Sequence, residues 1–192
     1  LDYQSPLKNF GSVLTVGGLE ENACRKLAVE PMERLGIQWE SDELVSSLIE
    51  QTGRRANLIS IACDEALYAL GQEERIIQPA HLAEVLRGRR VRDALAGWGE
   101  LGGDGAECRL DRIVVYATVP AGTFTLGELM RRLEALGFRP EPELLKSSLA
   151  RLELAFVLAR QDKQFVYQVP LQRELILEDD TELLLAAEIR AA

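Results

Sequence analysis

One histidine and three cysteines are all that 192 residues offer as soft metal ligands or histidine-assisted nucleophiles. With His81 alone, neither a zinc site nor a Ser–His or Cys–His pair finds support. His81 reads instead as a structural residue in the first turn of a helix opened by Pro79. Cys24, Cys63 and Cys108 are odd in number, widely spaced and outside any CxxC pair. That pattern argues against a disulfide framework and fits a reducing cytoplasm, with the thiols as small buried hydrophobes. No apolar run is long enough to span a bilayer, and no signal-peptide pattern opens the chain. No GxxxxGK[ST] phosphate cradle occurs, and no acid ends an apolar strand where it would hold magnesium. Chain and membrane are therefore not expected to meet, and the chain alone is not expected to be an enzyme.

Hydrophobic residues supply 47% of the chain, enough for folded domains. The formal net charge is -9. Residues 1–108 contribute -7 of it and residues 109–192 only -2. So acidic a chain is a poor general binder of nucleic acid, because such binding rests on neutralising phosphates.

The pattern predicts a mainly α fold. Ser12–Val16 alternates and is β-branched, so it reads as one strand without a visible partner. Leu19–Val29 places Leu19, Ala23, Leu27 and Ala28 on one face; Pro31 is expected to open a separate turn, closed by Gly36. Ser41 caps a helix to about Gln51, and Asn57–Leu70 forms another. Pro79 opens a helix that carries His81 and runs to Arg87. Arg87–Arg92 is the one dense basic run, and five glycines between Gly97 and Gly105 read as a linker. Beyond it come helices at Arg109–Val119, Leu126–Leu136 and Glu141–Leu154. Strands at Phe156–Arg160 and Gln164–Val169 turn at Gln161-Asp162-Lys163. Three helices and a two-stranded hairpin are the order of a winged helix-turn-helix. From Leu171 onward the pattern is again helical.

The segment richest in chemistry is Gln51-Thr-Gly-Arg-Arg-Ala-Asn-Leu-Ile59. A helix stops at Gly53, two arginines follow, and a new helix begins, where free amides already favour anions. Together with Val13-Leu-Thr-Val-Gly-Gly-Leu19 and Glu30-Pro-Met-Glu-Arg-Leu-Gly-Ile37, the stretch Glu50–Cys63 that contains this segment resembles the last core strand and helical lid of AAA+/STAND ATPases. The likeness is to the prokaryotic group related to origin-recognition initiators. Phe165-Val-Tyr-Gln-Val-Pro-Leu-Gln-Arg173 is similar to the wing strand and following turn that close winged helices of these proteins. The resemblance implies a remnant of the nucleotide-binding core at 1–18, a helical-bundle lid at 19–96, a Gly-rich linker at 97–108 and a winged helix with a two-stranded wing at 109–192. It implies that the chain, which opens at Leu1, is a fragment or trimmed product lacking its Walker-bearing domain. ATP, with magnesium held by that other domain, is the implied cofactor. Arg55 falls where the family's sensor-2 arginine touches the γ-phosphate, with Arg54 as the neighbour able to substitute. Ala56 stands where one form of the motif has proline.

If helix Glu141–Leu154 occupies the recognition position, Leu144, Leu145, Leu149 and Leu152 face inward. Lys146, Ser147, Ala150 and Arg151 then face out, with Arg131, Arg132 and Lys163 near enough to meet phosphates. The -2 balance of residues 109–192 favours a protein partner over DNA on that surface. Two other readings are a stand-alone winged-helix transcription regulator and a non-enzymatic interaction module.

Overall fold

The computed structural model describes residues 18–192. The strand expected at Ser12–Val16 lies outside them. The described chain is mainly α: ten α-helices, a short parallel pairing and a small three-stranded antiparallel sheet. The helices pack around two hydrophobic cores.

The first core is built by α1 (Glu21–Arg34), α2 (Asp42–Gln51), α3 (Ala56–Ala69), α4 (Pro79–Leu86) and α5 (Arg89–Leu95). Pro31 does not open a separate turn; it sits inside α1, which continues to Arg34. Proline in a helix forfeits one hydrogen bond and crowds the carbonyl four residues back. Here Met32, one residue on, is almost wholly buried, and its packing holds the last turn. Ser41 caps α2 as expected, its Oγ accepting from the Leu44 amide at 3.3 Å. Gln38–Trp39 (β1) and Ile76–Ile77 (β2) pair in parallel and tie α1 to the entry of α4. The Trp39 indole N–H also donates to the Ala28 carbonyl at 3.0 Å.

The expected linker is largely structured. A 3-10 turn covers Ala96–Glu100, and α6 (Gly105–Thr118) starts four residues before Arg109. Asp104 is the reason: its Oδ1 accepts from the amides of Ala106 and Glu107, both at 2.9 Å.

The second core gathers α6, β3 (Thr123–Phe124), α7 (Leu126–Ala135), α8 (Pro142–Leu154), β4 (Leu158–Gln161) and β5 (Gln164–Tyr167). Thr125 and Glu128 form a reciprocal capping box at the start of α7. The hairpin β4–β5 turns through Asp162, whose φ is 55°. The sheet has one strand more than the two expected: β3 pairs with β5, giving the order β3-β5-β4. Two residues are too short a run for alternation to reveal, and only the partner defines such a strand. Phe124 and Phe165 stack across it at 5.4 Å. Tyr167 is buried beneath, its hydroxyl donating to the Val115 carbonyl at 3.0 Å and lying 2.8 Å from Thr118 Oγ1.

The last two helices are α9 (Pro170–Leu177) and α10 (Thr181–Arg190), parted at Glu178–Asp180 with Asp180 capping α10. Val169 and Leu171 belong to the first core, and Leu175 packs against it. Ile176, on the same helix as Leu171, belongs to the second core. Helix α9 therefore joins the two cores.

Candidate functional site

The turn between α2 and α3 is the point where the two cores and the start of the described chain meet. Thr52 ends α2, its buried hydroxyl donating to the Leu48 carbonyl at 2.7 Å. Gly53 and Arg54 then both adopt left-handed backbone, with φ of 58° and 59°. Glycine takes that conformation freely, whereas for arginine it is strained, and such strain concentrates at functional sites. The Gly53 and Arg54 amides close on the carbonyls of Glu50 and Ile49. Arg55 precedes α3, which has no side-chain cap and no acid in its first turn. The first amides of α3 thus remain without a local acceptor.

Three contacts define what the turn does. The Leu19 amide donates to the Arg54 carbonyl at 3.0 Å, which fixes the entering chain to the turn. A Cβ added at Gly53 would overlap the Gln168 carbonyl and meet Val169 Cγ2 at 3.0 Å, so this glycine lies directly against the end of β5. The Arg55 guanidinium lies over the Phe156 ring, 5.8 Å from its centroid. Phe156 itself has a φ of 61°. Burial pulls the pKa of Arg55 below its ordinary value, as expected for a guanidinium whose water is replaced by an aromatic face.

Arg54 points elsewhere. Its side chain is 51% exposed and lies 3.6 Å from Glu21. It lines a cleft of about 670 Å³ together with Gly18, Glu21, Ser46, Gln161 and Gln168. One wall comes from the first core and the other from the β4–β5 hairpin. Among the described residues the lining carries one cation, Arg54, against the carboxylates of Glu21 and Glu50. By itself it does not fit a triphosphate, which needs several cations or amide donors around it. The Arg55 and Arg54 positions are thus divided between two surroundings: an aromatic contact and an open cleft.

The surface residues expected to meet nucleic acid do not form one basic face. Arg132 pairs with Glu182 on α10 at 2.6 Å, and Lys146 with Glu143 at 2.7 Å. Arg131 is exposed and donates to the Gly127 carbonyl of its own helix. Ser147 is exposed on α8, and Lys163 is exposed at the tip of the hairpin. Arg151 does not face outward. It is 19% exposed and holds the fully buried carboxylate of Asp111 with two hydrogen bonds, at 3.0 and 2.9 Å. Ser148 donates to the same carboxylate at 2.6 Å. The inward face of α8 is therefore Leu145, Ser148, Leu149 and Leu152, and Leu144 is exposed rather than buried. The helix is rotated from the leucine-only expectation because a buried carboxylate on α6 has to be satisfied.

Among the described residues, no group of three or more His, Cys, Asp or Glu side chains could hold a metal ion. No described helix is long and apolar enough to cross a membrane. Burial pushes the Cys63 thiol up to about 12 and also raises Cys24, so neither offers a thiolate near neutral pH.

Comparison of the chain with protein-family models, curated proteins and solved structures finds no match in any of the three.

Proposed function

We propose that this chain is the regulatory C-terminal part of an ATP-binding protein of the AAA+/STAND type, a helical lid followed by a winged helix. The observation that carries the reading is the Gly53–Arg55 turn, which touches the entering chain, the first core and the hairpin together. A sensor that passes a nucleotide state to a second module needs such a place. The element order α6-β3-α7-α8-β4-β5 and the strand order β3-β5-β4 support the winged-helix part of the reading.

In this reading the P-loop domain supplies the phosphate grip and the magnesium ligands, and Arg54 adds one cation from the cleft. The roles expected from sequence are exchanged. Arg54, exposed at the cleft, reads the phosphate, and Arg55, held on Phe156, relays its position to the hairpin. The partner surface favours protein over DNA. Helix α8 exposes Leu144 and Leu154, 50% and 70% accessible, between a neutralised Lys146 and the small Ser147 and Ala150. Apolar exposure of that kind suits a protein contact better than a phosphate backbone.

The test is ATP binding and turnover in the protein together with its P-loop domain. Arg54→Ala weakens ATP affinity about tenfold, the loss of one charge-assisted contact. Arg55→Ala leaves affinity within about twofold. Unchanged affinity and turnover in Arg54→Ala would take the turn out of the nucleotide site.

A further inference from the structure

Helix α10 packs on the second core with one side and turns a patterned face outward on the other. On the inner side Thr181 and Leu185 are buried. There Arg109 and Arg112 of α6 hold the Ala191 carbonyl and the Glu188 carboxylate. The outer side carries Glu182, Ala186 and Arg190, all exposed, and Leu183, which is 60% accessible. Ile189, partly buried against the second core, borders them. At 3.6 residues per turn these five side chains fall within an arc of about 120° centred on Ala186. A groove of about 250 Å³ follows the same face, lined by Leu136, Leu185, Ala186 and Ile189 between Glu182 and Arg190.

From residue 182 to residue 190 the face reads acidic, apolar, small, apolar, basic. In reverse the apolar and small positions coincide and the charges exchange sign. Such a helix complements itself when two copies pack antiparallel about a two-fold axis at Ala186. Glu182 of each copy then meets Arg190 of the other, and Leu183 and Ile189 flank the two ion pairs. The small Ala186 at the centre lets the helix axes approach to about 8–10 Å. In a parallel pair glutamate would face glutamate and arginine face arginine, so the charges select the antiparallel arrangement. Arg190 is available for the contact: its Nε donates to the Ala186 carbonyl of its own helix at 3.1 Å, and it has no carboxylate partner among the described residues. Glu182 holds Arg132 through Oε1 and keeps 65% of its side chain exposed. The net charge of -9 opposes association at long range. At physiological salt that repulsion is screened beyond about 8 Å, which leaves the contacts at the face to decide.

We propose that the outer face of α10 docks a second copy of this chain, forming an antiparallel dimer of two-fold symmetry. One ten-residue helix from each copy makes a small interface, so the dimer is weak and reversible. The inference does not rest on the nucleotide reading above.

Sedimentation equilibrium of the 192-residue chain, from about 1 μM to about 1 mM, is the test. The average mass is expected to rise with concentration from that of one chain toward that of two. Arg190→Glu and Glu182→Arg each set like charges against one another at both ends of the contact. Each is expected to weaken the dimer about tenfold or more, the loss of two exposed ion pairs and the gain of two repulsions. An equimolar mixture of these two variants is expected to associate again, because one copy then presents two arginines to the two glutamates of the other. Ala186→Glu is expected to abolish association by blocking the close approach. All three positions are exposed, so each variant is expected to melt as the unaltered chain does; should one not, the concentration series of the unaltered chain and the remaining variants decide. A chain that stays monomeric over the whole range overturns the proposal and leaves the face to a partner of different sequence. A dimer that Arg190→Glu and Ala186→Glu leave unchanged overturns it too, as does a mixture that stays as dissociated as its two components.

Discussion

Gly53→Ala is expected to lower the stability of the chain by about 3 kcal/mol, the sum of a left-handed backbone penalty of about 1 kcal/mol and a collision with backbone. Two features combine at this residue. Its φ of 58° is one that a Cβ disfavours, and the built Cβ overlaps the Gln168 carbonyl, which cannot swing aside as a side chain would. Gly36 supplies the control. Its φ is 71°, but nothing lies within 4 Å of its built Cβ. Gly36→Ala is therefore expected to cost only about 1 kcal/mol, the backbone part alone. For a chain of this size the larger loss corresponds to a fall in melting temperature of about 10 °C. Urea unfolding of both variants measures the difference. Equal effects, or a gain in stability from Gly53→Ala through a less flexible unfolded chain, would mean that the turn does not press against the hairpin.

Arg151→Ala carries the second large effect, about 3 kcal/mol in the same measurement. Asp111 is fully buried in α6 and receives three hydrogen bonds, two of them from Arg151. Truncating the arginine leaves a buried carboxylate with Ser148 as its remaining partner, which costs far more than the loss of a surface pair. An exposed arginine that served only to meet phosphate would lose less than about 0.5 kcal/mol on truncation. Such a small loss would return Arg151 to the list of nucleic-acid contacts. Asp111→Asn in the Arg151→Ala background is expected to recover part of the stability, because the unpaired charge is then removed.

These two positions also show where sequence reasoning reached and where it stopped. Local chemistry was legible. Ser41 caps the helix that follows it, and the residues flanking Asp162 form the expected hairpin. Features that depend on a distant partner were not. The strands β1, β2 and β3 are two residues each and exist only because another segment lies alongside. Asp104 captured the end of the glycine-rich stretch into α6, a cap that the glycines obscured. The rotation of α8 was encoded, but faintly. Asp111 falls on the same face of α6 as Val114, Val115 and Thr118, and a charged residue on an apolar face demands a partner. Ser148 and Arg151, three apart on one helix, are that partner. At the candidate site, sequence marked the two arginines but not their division. Gly53 packing on Gln168 and Arg55 on Phe156 both join residues more than 100 positions apart, a distance that no local pattern reports.

The proposed relay requires a mechanical link between the α2–α3 turn and the hairpin. Hydrogen exchange in the protein with its P-loop domain, with and without ATP, reads that link directly. ATP is expected to change protection in the segment 156–169, and Phe156→Ala is expected to remove that change while leaving ATP affinity as it was. Identical exchange in that segment with and without ATP, while ATP is bound, would contradict the account.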